Sequence, residues 1–168
     1  VPIFSGFGVD ATATRIGDAE CSVLFTGDGF YRRGSQVTLK ESADEAIEQA
    51  GHVEHTVVYD RLGLASEGAI PWDVARDELW AESVADADDD YDTKSLSASQ
   101  ESMLLYSSGT TGKPKGIVHT HAGALMQAAK EVYFGMDLKP SDRFFWVSDI
   151  GWMMGPWTLM GTHAHGGT

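Results

Sequence analysis

The residues best suited to chemistry lie in one short stretch, 107–116, where glycine, hydroxyl and lysine side chains are concentrated. Glycines permit positive φ and remove Cβ atoms, so backbone N–H groups can converge on an anion. Hydroxyl groups add neutral donors, and lysines add positive charge. Charge-assisted hydrogen bonds of this kind contribute roughly 1.5 to 3 kcal/mol each, enough for several to hold a triphosphate. The residues expected to contribute are Ser107, Ser108, Gly109, Thr110, Thr111, Gly112, Lys113, Lys115 and Gly116.

The spacing of this stretch excludes a Walker loop. That motif has four residues between its glycines and a Ser or Thr after its lysine. Here Gly109 and Gly112 enclose two residues, and Pro114 follows Lys113. Because proline has no N–H and a fixed φ, the chain cannot continue directly into a helix whose N-terminus binds phosphate. A P-loop NTPase is therefore disfavoured, whereas composition alone leaves a flexible Gly/Ser/Thr linker open.

The ordered string at 106–116, YSSGTTGKPKG, resembles the phosphate-binding loop of the adenylate-forming acyl-CoA synthetases, with Ser107 where Thr is usual. This match argues against the linker. The resemblance implies that residues 107–112 and Lys115 bind the β- and γ-phosphates of ATP, which arrives with Mg²⁺, while a carboxylate attacks the α-phosphate. It also implies catalytic roles for Lys115 and Thr110. Such a loop acts by positioning and by stabilising charge on the leaving oxygens.

A second stretch, 148–155 with the sequence SDIGWMMG, resembles the Asp-x-Gly-Trp segment of the acetyl-CoA synthetase branch. The resemblance implies that Trp152, Met153 and Met154 border the acyl pocket, where their apolar surface suits a small alkyl chain. Without the family, an apolar-aromatic run is more often core. The branch commonly has Gly-His where this chain has Gly155 and Pro156, so the acid is predicted only as short-chain and acetate-like. Two further segments resemble the branch, 1–8 and 28–34, so the resemblance covers nearly the whole chain.

Short apolar, β-rich runs alternate with helical stretches, the pattern of an α/β layered domain. Asp10 is expected to cap the first helix and Gly51 to end the second. The resemblance identifies this pattern as an incomplete sheet-and-helix portion of an acyl-CoA synthetase N-terminal domain, a single partial domain over 1–168. Since residue 1 is Val rather than Met, we expect a piece of a longer protein that is inactive alone. The pattern predicts strands at 21–26, 53–59, 101–106, 116–118 and 144–147 and helices at 10–16, 42–50, 72–82, 122–133 and 157–161.

The net charge of −13 is distributed unevenly along the chain. Residues 1–100 carry 20 acidic and 7 basic side chains, whereas residues 101–168 carry five of each. The candidate loop therefore lies in a neutral segment that would not repel a polyanionic nucleotide. The acidic remainder argues against nucleic-acid binding, which needs a basic footprint. With 6 Lys and no Asn, the composition is compatible with a halophilic source or with an ordinary acidic cytosolic protein.

Several other features of the sequence bear on the cellular compartment and on metal binding. No apolar run approaches the ~20 residues of a membrane span, and the single Cys21 suits a reducing compartment, so we predict a cytoplasmic protein. The Asp-rich stretch 86–98 lacks the Gly and the terminal Glu of an EF-hand loop, which favours a solvated surface loop over a calcium site. His119 and His121 are interpreted as a strand-to-helix junction capped by Thr120 rather than as a metal pair.

Two functional hypotheses follow. The first is an acyl-CoA synthetase that converts a carboxylate and ATP to acyl-adenylate and pyrophosphate, then transfers the acyl group to coenzyme A. Its partners would be these small molecules and the remainder of its own polypeptide. The second is a non-catalytic nucleotide-binding or interaction module that retains the phosphate loop.

Overall fold

A computed structural model describes residues 1–107 and 113–168. The chain divides into two compact units: the first comprises Phe7–Asp92, and the second combines Val1–Gly6 with Thr93–Thr168. Each unit contains both helices and strands, so the predicted α/β class is confirmed. The single partial domain over 1–168 stays a prediction.

The elements of the first unit are α1 (Val9–Asp18), β1 (Val23–Gly27), β2 (Gly29–Arg32), β3 (Ser35–Thr38), α2 (Lys40–Ala50), β4 (His55–Tyr59), β5 (Asp77–Leu79) and α3 (Trp80–Ser83). The unit is built around a three-stranded parallel sheet in the order β1-β4-β5. The strands β2 and β3 form a separate antiparallel ribbon, and the helices α1 and α2 pack against each other. The β1–β4 register aligns Val23 with His55 and Gly27 with Tyr59.

One of the two predicted helix ends in this unit is confirmed, and the other is not. Gly51 ends α2 in the left-handed conformation, φ 78°, and its amide donates to the Ile47 carbonyl at 2.8 Å, so the predicted stop is confirmed. The prediction that Asp10 caps α1 is wrong, because Gly8 occupies the N-cap and Asp10 lies within the first turn. A carboxylate there still interacts favourably with the helix dipole.

The predicted helix over 72–82 is also wrong. The chain turns instead at Asp73, whose carbonyl accepts the Asp77 amide at 2.7 Å, and residues from Asp77 onward form β5 and the short α3. The Asp77 side chain is fully buried and lies 2.6 Å from Lys40 Nζ. The segment therefore forms a turn and a strand that pairs with β4, and its first strand residue is ion-paired to Lys40.

The second unit pairs an antiparallel hairpin with two packed helices. Its elements are β6 (Glu101–Ser107), β7 (Lys115–Thr120), α4 (His121–Met136) and α5 (Met154–Ala164). Thr120 caps α4 as predicted, because its Oγ1 accepts the Gly123 amide at 3.1 Å. The buried core between α4 and α5 consists of Ala128, Val132, Leu138 and Trp157, with Phe144, Met154 and Met160 against it.

Two predicted segments outside these elements had different outcomes. Residues 86–98 are exposed and lie outside the helices and strands, as expected for a surface loop. Residues 144–147 were predicted as a strand, which is wrong: Phe145 and Val147 are 84% and 85% exposed, and the segment pairs with no strand among residues 1–107 and 113–168. An apolar run becomes a strand only where a neighbour supplies the hydrogen-bond ladder.

The helix α5 approaches α4 closely at Gly161. A Cβ there would lie 2.5 Å from Val132 Cγ2 and 2.9 Å from the Ala128 carbonyl oxygen. Since Val132 is fully buried and cannot move aside, we expect Gly161→Ala to lower the free energy of unfolding by about 1 to 3 kcal/mol, measured by urea titration.

A matched control for this substitution exists in α4. A Cβ at Gly135 would meet nothing within 4 Å, so Gly135→Ala should be neutral or stabilise the protein by up to about 1 kcal/mol. Equal destabilisation by both substitutions would contradict the steric explanation.

Candidate functional site

The candidate phosphate loop joins β6 to β7. Ser107 pairs with Lys115 in the antiparallel register, and Tyr106 pairs with Gly116. The two ends of the predicted loop are thus side by side at one end of the hairpin, and both Ser107 and Lys115 are exposed. The remaining predicted phosphate ligands, Ser108, Gly109, Thr110, Thr111 and Gly112, lie outside the described residues.

The opposite end of this hairpin is anchored. Ser102 Oγ donates to the His119 carbonyl at 3.0 Å, and the His121 amide donates to the Gln100 carbonyl at 3.0 Å. Because β7 leads directly into α4 at His121, the predicted strand-to-helix junction is confirmed. Among residues 1–107 and 113–168, no group of three or more His, Cys, Asp or Glu side chains could hold a metal ion.

Gly116 was predicted to permit a positive φ and to remove a Cβ atom near the loop. It lies within β7 and is not one of the glycines with a positive φ. A Cβ at this position would lie 3.0 Å from Leu104 Cδ1 and 3.4 Å from the Tyr106 ring. The glycine therefore leaves space for the side chains of β6.

The predicted acyl-pocket residues lie in the turn before α5 and at the first residue of that helix, and they differ in exposure. Trp152 and Met153 are 47% and 56% exposed. Met154 is half-buried and packs against the core that contains Trp157. Trp152 and Met153 are therefore available to a ligand, whereas Met154 is partly occupied by the core of its own unit.

The turn before α5 is held by one carboxylate. Asp149 Oδ1 accepts the Gly151 amide at 2.8 Å, and Oδ2 accepts Ser5 Oγ–H at 2.8 Å. The Phe4 ring lies 5.3 Å from the Trp152 ring, centroid to centroid. Sequence reasoning gave Phe4 and Ser5 no role in the site, because the resemblance of segment 1–8 to the branch did not place that segment beside the Asp-x-Gly-Trp turn.

A family model described as AMP-binding enzyme matches residues 1–168. The chain therefore belongs to the AMP-binding enzyme family, which confirms the resemblance seen in its loop. The acetyl-coenzyme A synthetase of Streptomyces coelicolor is 44% identical over 168 residues, covering 99% of this chain and 25% of that protein. The acetyl-coenzyme A synthetase of Mycolicibacterium smegmatis is 40% identical over 154 residues, covering 91% and 16%.

The fold is also similar to a solved structure, the acetoacetyl-CoA synthetase from Streptomyces lividans. The TM-score is 0.82 at 30% identity, over 96% of this chain and 24% of that one. The chain thus spans about a quarter or less of the length of the relatives it matches. Within the described parts of the chain, no helix is both long and apolar enough to cross a membrane.

Proposed function

We propose that this chain forms part of an AMP-forming acyl-CoA synthetase that activates a short-chain, acetate-like carboxylate and transfers the acyl group to coenzyme A. The observation that carries the proposal is a hairpin of the AMP-binding family in which Ser107 and Lys115 flank a glycine-and-hydroxyl loop. The relatives' names, acetyl-coenzyme A synthetase and acetoacetyl-CoA synthetase, support an acyl-CoA product of a short acid.

In the proposed reaction, a carboxylate oxygen bonds to the α-phosphorus of ATP and the bond to pyrophosphate breaks. Residues 107–112 and Lys115 hold the β- and γ-phosphates, and Lys115 with Thr110 stabilises the charge that develops on the departing oxygens. The described loop ends offer Lys113 and Lys115 rather than carboxylates. A magnesium ion would therefore be held through the phosphate oxygens of ATP, where it neutralises their charge.

For the acid, the proposal assigns the acyl chain to Trp152 and Met153, with Met154 behind them. The half-exposed indole and thioether surfaces suit a short alkyl group. Since a methylene changes binding by only about 1 to 3 kcal/mol, these residues define a size class rather than one acid. We also infer a cytoplasmic location from the single Cys21.

The proposal predicts the effect of removing the loop lysine. In the full-length protein, Lys115→Ala or Gly112→Val should lower acid-dependent exchange of pyrophosphate into ATP at least about tenfold, which corresponds to about 1.4 kcal/mol. Lys139 is exposed and lies in the loop between α4 and α5, so Lys139→Ala should leave pyrophosphate exchange unchanged. If both loop variants retain the wild-type rate of pyrophosphate exchange, the loop does not take part in the mechanism.

Two further readouts separate the alternatives. ATP binding by the full-length protein without acid-dependent exchange would support the non-catalytic nucleotide-binding module instead. AMP release from a panel of carboxylic acids, with and without coenzyme A, identifies the acid and shows whether thioester formation follows adenylation.

A further inference from the structure

In the second unit, the amino-terminal segment 3–5 lies against the turn that presents Trp152. We propose that Phe4 and Ser5 are positioning residues, which set the place of the Trp152 indole and thereby the fit of the acyl chain. This inference rests on the proposed function, because it requires that Trp152 borders the acid. Neither residue is proposed to touch a substrate.

The first support is a direct backbone contact at Gly151. A Cβ built there would lie 2.1 Å from Phe4 N, 2.3 Å from Phe4 Cα and 2.4 Å from the Ile3 carbonyl carbon. No side chain can occupy that space, so the two backbones are stacked without an intervening atom. A displacement of segment 3–5 would therefore move the residue that directly precedes Trp152.

The second support is the ring of Phe4. It lies 5.3 Å from the Trp152 ring at an interplanar angle of 41°, within the range of attractive aromatic pairs. A Cβ at Gly6 would lie 2.5 Å from Phe4 Cε1, so this glycine leaves the room that the ring occupies. Phe4 covers part of the indole, and 47% of Trp152 remains exposed for a ligand.

The third support is that both carboxylate oxygens of Asp149 accept hydrogen bonds. One carboxylate oxygen accepts the Gly151 amide inside the turn, and the other accepts Ser5 Oγ–H, each at 2.8 Å. The Asp149 carbonyl also accepts the Trp152 amide at 3.0 Å. The hydroxyl of Ser5 is thus joined to the Gly151 amide through the Asp149 side chain, and the backbone carbonyl of the same residue holds the Trp152 amide.

On its carboxyl side, Trp152 is followed closely by α5, which packs against the core of the unit. Met154 begins α5 and packs against the core, and the Trp157 amide donates to the Met153 carbonyl at 3.0 Å. The carboxyl side of Trp152 is therefore set by α5, and its amino side is set by segment 3–5. Loosening that segment should therefore alter the binding of the acid. It should leave the binding of ATP at the loop between β6 and β7 unchanged.

The test uses the full-length protein and pyrophosphate exchange with acetate, propionate and butyrate. We expect Ser5→Ala to raise KM about fivefold for the best of these acids, the effect of losing one hydrogen bond. The KM for ATP and kcat should stay within about twofold. The substitution weakens binding of the acid only, and it does so equally in the ground state and the transition state. Ser5→Thr keeps the hydroxyl and should restore the acid KM, and Ser141→Ala is the exposed control.

A second variant addresses the ring contact. Phe4→Leu should reduce the discrimination among the three acids, whereas Phe134→Leu, at an 80% exposed ring in α4, should not. Unchanged acid KM and selectivity in both Ser5→Ala and Phe4→Leu would overturn the inference, as would a parallel rise in the KM for ATP. If the wild-type protein shows no acid-dependent exchange at all, the proposed function fails first, and this inference fails with it.

Discussion

Replacing Lys40 with methionine is expected to lower the free energy of unfolding by about 3 to 5 kcal/mol, the effect of breaking a buried ion pair. The Lys40 side chain is 0% exposed, and its Nζ lies 2.7 Å from Asp44 Oδ1 and 2.6 Å from Asp77 Oδ2. It also donates to the Pro71 carbonyl at 3.3 Å. Methionine fills a similar volume but leaves the carboxylates without the ammonium group.

The remaining cation cannot compensate for this loss. Arg76 already bonds both carboxylates, Nη2 to Asp44 Oδ1 at 2.6 Å and Nε to Asp77 Oδ1 at 2.9 Å. With Lys40 present, two cations balance two anions, whereas without it the cluster carries a net negative charge in a buried place. Burial lowers the pKa of Arg76, but the hydrogen bond and charge of Asp77 outweigh burial and raise it.

The same cluster predicts how the effect depends on pH. Burial raises the pKa of Asp77, but hydrogen bonds from Arg76, the Asp73 amide and Lys40 outweigh burial and hold it below 3.8. A depressed folded-state pKa stabilises the protein above the unfolded value, and this stability is lost as pH falls through the folded value. The difference between wild type and Lys40→Met should therefore be complete at neutral pH and narrow below 3.8.

Urea is the suitable denaturant because it is uncharged and does not screen ion pairs. Unfolding is followed by far-ultraviolet circular dichroism. The matched control is Lys139→Met, whose partner is Asp137 in a pair that is 51% and 85% exposed, and its effect should be much smaller than that of Lys40→Met. If Lys40→Met costs no more than this control, the buried cluster is not a source of stability.

The features that sequence could predict are those whose causes are local. The ordered string at 106–116 identifies the family, and Thr120 and Gly51 mark helix ends because each acts on backbone groups within a few residues. The strand before the candidate loop follows from the apolar run that ends at Tyr106, just before the Ser- and Gly-rich stretch. These signals need no knowledge of what lies elsewhere in the chain.

The features that sequence could not predict depend on distant partners. Lys40 and Asp77 are 37 positions apart and would each be expected at the surface, yet they form a buried ion pair, and Asp77 begins β5 where a helix was predicted. Ser5 and Asp149 are separated by 144 positions. Composition and periodicity contain no information on such pairs, so the support behind the candidate acid site was invisible until the fold was known.

The second large effect is expected for Asp28→Ala, which should lower the free energy of unfolding by at least about 3 kcal/mol. Asp28 is 0% exposed and lies between β1 and β2. Its carboxylate accepts four backbone amides, from Gly29 at 2.6 Å, Arg61 at 3.0 Å, Leu62 at 2.8 Å and Leu64 at 3.1 Å. Alanine would leave these donors unpaired, and each unpaired buried donor costs about 1 to 3 kcal/mol.

The backbone of Asp28 also links its position to two other elements. Its amide donates to the Tyr59 carbonyl at the end of β4, and its carbonyl accepts the Leu39 amide before α2. Asp28→Asn keeps one acceptor oxygen and should fall between wild type and Asp28→Ala. Asp88→Ala, in the exposed 86–98 loop, removes an acceptor of the Asp90 amide and should change stability by less than about 0.5 kcal/mol. Equal urea midpoints for Asp28→Ala and Asp88→Ala would show that water replaces the buried carboxylate, and that this residue does not join the loop after β4 to the sheet.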